Sequence, residues 1–573
     1  MEVNMIPRNE HPNPQFMREN YVNLNGEWDF AFDFGNSGNA RGMNEGKGFD
    51  RKIIVPFCPE SKLSGIGYTD FMNAVWYKRS FTLTAAELNG RVVLHFGAAD
   101  YETFVWVNGK NAGSHVGGYT SFAFDITALV HEGDNEIIVN CQDFTAHGRH
   151  GGQPVGKQSI RYASAGCCYT RTTGIWQTVY LEFTPKAYID SFKYYPDVEN
   201  SLLTVTGKVC GSGRLELIAE YEGKRVGEAA RMVSGNFSLE LALDELHLWE
   251  VGHGRLYDLT LKFGSDEVKS YFGMRNISLG KRKFLINGKS VFERLVLDQG
   301  FYPDGIYTAR DDAELERDIL LSLELGFNGA RLHEKVFEPR FLYHCDRHGY
   351  IVWGEYPNWG LWDQNPELLA IVIPEWIEEI TRDFNHPSIV GWCPLNETGA
   401  QRGAQDPRNI SELYKITKAL DPTRLCIDTS GFAHVLTDIY DLHDYDQNPE
   451  SLKESYAHMR DTEPYIRNFQ DRYQKWHDEP VFVSEYGGVG YAPEFCGSAW
   501  SYGNATKTEN EFLERYKGLT DVLLDNPDIH GFCYTQLYDV EQEQNGLYTY
   551  ERNPKFDTKA LFEINSRKAA IED

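Results

Sequence analysis

Two glutamates stand out because each follows a short apolar run. Glu397 closes the segment GWCPLNE, and Glu485 lies in the segment VFVSEYG. A buried strand before each residue would hold its carboxyl group in a fixed position. Cleavage of a glycosidic bond needs such a pair, one carboxyl to protonate the leaving oxygen and one carboxylate to act on the sugar. A separation of about 5–5.5 Å would mean retention of configuration, and about 6.5–9.5 Å inversion.

The elements that would carry these glutamates alternate between short apolar strands and helical stretches after about residue 279. From Asp311 to Leu325, Asp311 and Glu314 form a capping pattern, apolar residues recur every four positions, and Gly326 stops the helix. Repeated β-then-α units predict a parallel sheet, and eight of them fit a (β/α)8 TIM barrel. The eight candidate strands are Val291–Leu297, Phe327–Leu332, Tyr350–Glu355, Ile389–Asn396, Leu425–Asp428, Ile439–His443, Val481–Glu485 and Gly531–Gln536.

Polar residues stand at the carboxyl end of every candidate strand. The active site of a TIM barrel lies at this end, so we expect these side chains to meet in one charged mouth. In strand order they are Asp298 and Gln299, Arg331 and His333, Glu355, Asn396 and Glu397, Asp428, His443 and Tyr445, Glu485, and Gln536.

The first half of the chain has the pattern of β-sheet with turns. Val107-Asn108-Gly109 gives a strand followed by an Asn-Gly turn, which is a strong hairpin signal. Many short strands predict a β-sandwich over residues 1–185, and about 90 further residues of strand pattern predict an immunoglobulin-like sandwich over residues 186–278. The barrel would then occupy residues 279–573.

The composition of the chain disfavours several classes of binding partner. The formal charge of the 573-residue chain is −28, which disfavours nucleic acid and anionic membranes. No apolar run is long enough to span a membrane, and the amino terminus shows no secretory signal. Ten scattered cysteines fit a reducing compartment, so we expect a cytoplasmic protein.

Motifs along nearly the whole chain resemble glycoside hydrolase family 2, which contains β-galactosidases, β-glucuronidases and β-mannosidases. The Asn396-Glu397 pair resembles the acid/base motif of the family, and Ser484-Glu485-Tyr486-Gly487 resembles its nucleophile motif. The remaining matches are LNGEWDF at 24–30, VWYKRSF at 75–81, GGYTSF at 117–122, TGIWQ at 173–177 and FLINGK at 284–289. The resemblance implies a jelly-roll, sugar-binding-like first domain before the immunoglobulin-like domain and the barrel.

The same resemblance implies a retaining double displacement by an exo-β-glycosidase that removes terminal sugars. Glu485 would be the nucleophile and Glu397 the general acid/base. Asn396 would bind the sugar 2-hydroxyl, Arg331 would keep Glu485 ionised, and Tyr445 would lie beside the nucleophile. The further candidates for substrate binding are His443, Asp298, Glu355, His333 and Gln536.

One departure from the family bears on the sugar. Family β-glucuronidases grip the sugar carboxylate with an Asn-x-Lys motif, and the corresponding region here is Asn545-Gly546-Leu547. Leucine at the lysine position argues against glucuronides, unless Arg552 or Lys555 replaces the lysine. We therefore favour a β-galactosidase-like activity. The alternatives are a β-glucuronidase or β-galacturonidase, and an arabinosidase or galactofuranosidase type of activity.

A different class of function also stays open, namely a catalytically inactive carbohydrate-binding protein, although both glutamates stand in intact motifs. Transglycosylation in place of hydrolysis is a further alternative. No cluster of carboxylates and histidines in the sequence indicates a metal site. The expected partner is a carbohydrate substrate without a metal or cofactor, and a homo-oligomer stays open.

Overall fold

The computed structural model describes residues 6–144, 152–399, 405–461, 474–491 and 499–572. Its first part is a β-sandwich of a four-stranded sheet, ordered β1-β12-β5-β9, and a six-stranded sheet, ordered β3-β2-β4-β10-β7-β8. The apolar faces of both sheets share one core, which includes Trp28, Leu94 and Leu181. The strands are β1 Tyr21–Asn23, β2 Gly26–Phe32, β3 Arg51–Val55, β4 Ala74–Leu83, β5 Arg91–Phe96, β6 Ala99–Asp100, β7 Glu102–Val107, β8 Lys110–Val116, β9 Phe122–Asp125, β10 Gly133–Gln142, β11 Gly174–Ile175 and β12 Val179–Thr184.

The hairpin predicted from Asn-Gly is confirmed. β7 and β8 pair antiparallel, and the turn between them places Asn108 at φ 51° and Gly109 at φ 73°. Two consecutive residues with positive φ are what a type I′ turn requires.

The next segment forms one antiparallel sheet of five strands with its own core. Its long strands bend where the register shifts between Val209 and Ser212, so the two halves of β14 pair with different neighbours. The immunoglobulin-like assignment of this segment stays a prediction. The strands are β13 Tyr188–Asp197, β14 Leu202–Tyr221, β15 Lys224–Ala242, β16 Tyr257–Phe263 and β17 Asp266–Phe272.

The last part is the TIM barrel. Its eight strands are joined by parallel pairing in the order β25-β24-β23-β22-β21-β30-β27-β26. A three-stranded antiparallel sheet precedes it, formed by β18 Ile277–Gly280, β19 Lys283–Ile286 and β20 Lys289–Ser290. The barrel strands are β21 Glu293–Asp298, β22 Gly329–Leu332, β23 Ile351–Glu355, β24 Ile389–Cys393, β25 Leu425–Cys426, β26 Tyr440–Asp444, β27 Val481–Gly487 and β30 Ile529–Thr535, and the pair β28 Val489–Tyr491 and β29 Tyr502–Thr506 follows β27.

Helices lie between the barrel strands, and the first one is confirmed in detail. The side chain of Asp311 accepts a hydrogen bond from the Glu314 backbone N–H, and Gly326 ends the segment with φ 83°. The helices are α1 Asp312–Glu324, α2 Pro339–His348, α3 Leu368–Asp383, α4 Pro407–Leu420, α5 Pro449–Ser455, α6 Glu509–Leu524 and α7 Thr558–Asn565. In the described ranges, none of them has the length and apolar character of a membrane-spanning segment.

A segment of the first sandwich reaches the mouth of the barrel. The backbone N–H of Val155 donates to the carbonyl of Trp359, at 2.8 Å. Gly156 lies so close to the barrel that an added Cβ would stand 2.2 Å from the carbonyl oxygen of Glu334. The residues around 155–159 are therefore docked on the loops that follow β22 and β23.

Candidate active site

The two glutamates lie at the carboxyl ends of β24 and β27. A carboxylate oxygen of Glu397, one of Glu485 and a ring nitrogen of His443 all lie within 4.8 Å of one another. The Glu485 side chain is 4 % exposed and that of Glu397 is 24 % exposed, so solvent reaches Glu397 from the barrel mouth. A carboxylate pair this close matches the spacing for retention and leaves no room for the water that inversion needs between the groups.

Glu397 stands in a backbone conformation that non-glycine residues rarely adopt, with φ 56°. Such a residue costs about 1–3 kcal/mol and persists only where the surroundings fix it. Its N–H donates to the carbonyl of Ser430 at 2.8 Å, and the N–H of Asn396 donates to Asn358 at 2.6 Å. These contacts tie the end of β24 to both neighbouring strands and aim the Glu397 side chain.

Three side chains surround the carboxylate of Glu485. Arg331 donates to its Oε1 at 3.0 Å, the Tyr445 hydroxyl donates to its Oε2, and Nε2 of His443 lies 3.4 Å from Oε1. Burial alone would raise the pKa of Glu485, but the charges of His443, Arg331 and Lys157 hold this pKa well below its ordinary value. Glu485 is therefore ionised at neutral pH, as a nucleophile must be.

Glu355 and His333 support Arg331. Both oxygens of Glu355 are occupied, Oε2 by Arg331 at 2.7 Å and Oε1 by Nδ1 of His333 at 2.8 Å. Burial opposes the charge on Glu355, but Arg331 and His333 lower its pKa to about 2. Burial also lowers the pKa of His333. Oε1 also accepts from the Glu334 N–H at 3.1 Å, so Glu355 is engaged with the protein at both oxygens, and its direct contact with substrate stays a prediction.

His443 lies between the two catalytic candidates. Its Nδ1 is 2.8 Å from Oε1 of Glu397, and its Nε2 is 3.1 Å from the hydroxyl of Ser430. Burial lowers the pKa of His443, but Glu485 and Glu397 outweigh this effect and raise it. Glu397, His443 and Glu485 also have the grouping of a possible metal site. His443 contacts Glu397 at 2.8 Å and Glu485 at 3.4 Å, so the same three side chains that would hold a metal ion also interact with one another through the imidazole ring.

Asn396 has a donor ready for substrate. Its Oδ1 accepts from Arg331 at 3.2 Å, whereas its buried Nδ2 has no partner among the described residues. A buried donor without a partner costs about 1–3 kcal/mol, and a sugar hydroxyl between Asn396 and Glu485 would remove that cost.

Asp298, which we expected to bind distal sugar hydroxyls, has hydrogen-bond partners within the protein that the sequence did not reveal. Its Oδ1 accepts hydrogen bonds from the Tyr538 hydroxyl at 2.6 Å and from the Gly300 N–H at 2.9 Å. The charged groups that act on it are Asp318 and Arg552, and burial raises its pKa to about 6. Oδ1 of Asp298 is therefore occupied by Tyr538 and Gly300, and the binding of distal sugar hydroxyls by Asp298 stays a prediction.

Gln536 belongs to a closed ring of buried side chains that the sequence did not reveal. Gln299 donates to both Tyr169 and Gln536, and Gln536 donates to Asn545 at 2.9 Å. Asn545 donates to Glu543 at 3.0 Å, and the Tyr169 hydroxyl donates to the other oxygen of Glu543. Burial raises the pKa of Glu543 to about 7. One oxygen of this ring, Oε1 of Gln299, is buried without a partner among the described residues.

The cations that we considered as replacements for the missing lysine are both occupied. Arg552 makes a two-point ion pair with Asp318, both distances 3.0 Å. Lys555 contacts both oxygens of Asp539, at 2.8 and 3.0 Å. Leu547 itself is buried in the apolar core of the barrel. None of these three side chains reaches the ring around Glu543 in the described contacts.

Two further residues at the mouth, Lys157 and Tyr502, were missed. Lys157 is 5 % exposed, and its ammonium nitrogen lies 3.5 Å from the centroid of the Trp359 ring. Tyr502 stacks on Tyr445 with ring centroids 3.4 Å apart. Lys157 stands in GGQPVGKQ, a near match to a phosphate-binding loop that lacks the Ser or Thr such a loop needs; the sequence favours a loop that reaches the active-site mouth, but it does not single out Lys157.

Comparison with known proteins agrees with this architecture. The model of the glycosyl hydrolases family 2 TIM barrel domain matches residues 277–571, and that of the family 2 sugar binding domain matches residues 66–185. The chain belongs to glycoside hydrolase family 2. It is thus a glycoside hydrolase whose fold combines an amino-terminal sandwich with a catalytic barrel.

The family relatives found are β-glucuronidases. The enzyme of Mus musculus is 27 % identical over 528 residues, covering 81 % of this chain and 77 % of that protein. The enzyme of Sus scrofa is 27 % identical over 530 residues, with the same coverage. A β-glucuronidase structure from an uncultured Clostridium species superposes with a TM-score of 0.79 at 23 % identity, covering 96 % of this chain and 99 % of that one.

These relatives overturn our expectation of a β-galactosidase-like enzyme. That expectation was wrong because it assumed that a cation for the sugar carboxylate must come from the loop after the eighth strand. Leucine at position 547 removes a cation from that loop only. The barrel mouth is also lined by the first sandwich, whose residues we did not consider as a source of that cation.

Proposed function

We propose that this glycoside hydrolase is a retaining exo-β-glucuronidase. The observation that carries the mechanism is the approach of Glu397 and Glu485, with carboxylate oxygens within 4.8 Å. The relationship to the mouse and pig β-glucuronidases supports the choice of sugar. Docking of the segment around Gly156 on the barrel supports exo action, because it covers one side of the mouth.

In the first step Glu485 attacks the anomeric carbon, and the bond from that carbon to the leaving oxygen breaks. Glu397 gives its proton to that oxygen, and a covalent glycosyl-enzyme forms. The hydrogen bonds from Arg331 and Tyr445 hold Glu485 in place for the attack. Asn396 would donate its free N–H to the 2-hydroxyl, a contact that strengthens as the transition state forms.

In the second step Glu397, now a carboxylate, removes a proton from water while the water attacks the anomeric carbon. The bond to Glu485 breaks, and the sugar leaves with its original β configuration. His443 contacts both glutamates, so it can stabilise the negative charge on either carboxylate during the two steps.

A panel of 4-nitrophenyl glycosides tests the sugar. It contains the β-glucuronide, β-galacturonide, β-glucoside, β-galactoside and β-mannoside, together with the α-L-arabinofuranoside. We expect the highest kcat/KM for the glucuronide, with the 4-nitrophenyl α-glucuronide as an unreactive control. Proton NMR during the first minutes should show β-glucuronic acid before it mutarotates. A higher kcat/KM for any neutral glycoside would refute the choice of sugar, and initial release of the α anomer would refute retention.

A further inference from the structure

The mouth of the barrel contains one buried ammonium group that the mechanism above does not use. Lys157 comes from the first sandwich and is 5 % exposed. It donates no hydrogen bond to the residues that the structure describes, and no described carboxylate lies within ion-pair distance of it. Buried lysines are almost always paired, so an unpaired one facing a cleft is a candidate for contact with a ligand.

Lys157 lies among the carboxyl groups that define the sugar site. The groups whose charges act on it include Glu397, Glu485 and Glu543. The anomeric carbon of a bound sugar must lie between Glu397 and Glu485. Together with the contact of the ammonium on Trp359, which follows β23, these charges indicate that Lys157 borders the same sugar.

The surroundings fix this position. The ammonium rests on the face of Trp359, which holds it by a cation–π contact. The carbonyl of Lys157 accepts from the N–H of Tyr169 at 2.8 Å. The next residue, Gln158, donates to Asp100 at 2.9 Å and to the Tyr119 hydroxyl at 3.1 Å. A cation held this firmly loses little entropy when it binds an anion.

We propose that Lys157 binds the carboxylate of the substrate sugar and so replaces the lysine missing at Leu547. The inference rests on the proposed glucuronidase function and adds the residue that selects the uronic acid. The other cations that we considered are excluded by their ion pairs, Arg552 with Asp318 and Lys555 with Asp539. Arg331 is held by Glu355 and Glu485.

Lys157→Met tests the proposal, because methionine keeps an unbranched chain and removes the charge. We compare kcat/KM for two substrates that differ only at carbon 6, 4-nitrophenyl β-D-glucuronide and 4-nitrophenyl β-D-glucoside. A hydrogen bond between charged groups predicts a loss of about 10- to 100-fold for the glucuronide, mainly in KM. The glucoside should change less than about 3-fold, and Lys157→Arg should restore part of the preference.

Lys110→Met is the matched control, because Lys110 lies exposed at the start of β8 in the same sandwich. It should leave both substrates unchanged, and thermal unfolding should show that both variants are folded. If Lys157 acts only by tuning the glutamates, Lys157→Met will slow both substrates equally, which overturns the proposal. If the wild-type enzyme prefers the glucuronide and the variant keeps that preference, Lys157 is excluded while the glucuronidase function stands. If the wild type shows no preference for the glucuronide, both proposals fail.

Discussion

Replacing Glu397 by Ala separates the two roles of this residue. In the first step, the more basic the leaving oxygen is, the more the rate depends on the proton that Glu397 donates. A general acid contributes typically 10²–10⁴-fold, so we expect kcat/KM to fall by about 10³-fold for a glucuronide with an alkyl leaving group. For 2,4-dinitrophenyl glucuronide, whose leaving oxygen needs no proton, kcat/KM should fall by less than about 10-fold.

The structure also predicts chemical rescue of this variant. Removal of the carboxylate opens the 24 % exposed side of the pair and leaves His443 without its partner at 2.8 Å. The space left by Glu397, next to the ring nitrogen of His443 and open to solvent, can then admit a small anion. Azide should therefore restore kcat for the dinitrophenyl substrate, because it attacks the glycosyl-enzyme without a base, and the product should be the β-glucuronosyl azide.

The assay is a plot of log kcat/KM against leaving-group pKa, together with kcat for the dinitrophenyl substrate with and without azide. A steeper negative slope in Glu397→Ala than in the wild type is the expected result. Glu412→Ala, on the exposed surface of α4, is the control and should keep the wild-type slope. Equal losses for all leaving groups, together with no effect of azide, would refute the assignment of Glu397.

Three further predictions concern other parts of the site. Glu485→Gln should lower kcat by several orders of magnitude without a change in thermal unfolding, and near-normal turnover would remove Glu485 as nucleophile. Because burial raises the pKa of Glu543 to about 7, this carboxyl group becomes negatively charged above that pH and then repels a sugar carboxylate. The ratio of kcat/KM for the glucuronide to kcat/KM for the glucoside should therefore fall as pH rises through about 7. Glu543→Gln should make this ratio independent of pH. A profile that Glu543→Gln leaves unaltered would contradict this account. Arg552→Met leaves the buried carboxylate of Asp318 unpaired and should cost about 3–5 kcal/mol in urea unfolding, and the added change Asp318→Asn should recover part of this loss. A loss under about 1 kcal/mol, which is about 5-fold in the equilibrium constant, would show that the pair is weak.

Much of the barrel followed from the sequence because periodicity and chain order are local signals. The run before Glu485 and the capping pattern at Asp311 specify their elements without help from distant residues. The convergence of Glu397, His443, Arg331 and Glu485 also follows from strand order, since parallel strands bring their carboxyl ends to one edge.

What the sequence could not supply were contacts between distant segments. Asp298 stands at a strand end like the others, but Tyr538, 240 positions later, takes its carboxylate. The ring of Gln299, Tyr169 and Glu543 joins the first sandwich to the loop after the eighth strand. Polar residues at such positions look alike in the sequence, and only the packed structure separates those that face the mouth from those behind it.

The docking of Gly156 on the carbonyl of Glu334 has a consequence for how the enzyme is made and how it evolves. The sandwich segment is synthesised before the barrel on which it rests, so this contact can form only after Glu334 and Trp359 have been added to the chain. Exchange of the sandwich between family members would carry Lys157 and Tyr169 away from the barrel that they complete. Recombination at the domain junction would therefore test whether the sandwich, and Lys157 in particular, takes part in the choice of sugar.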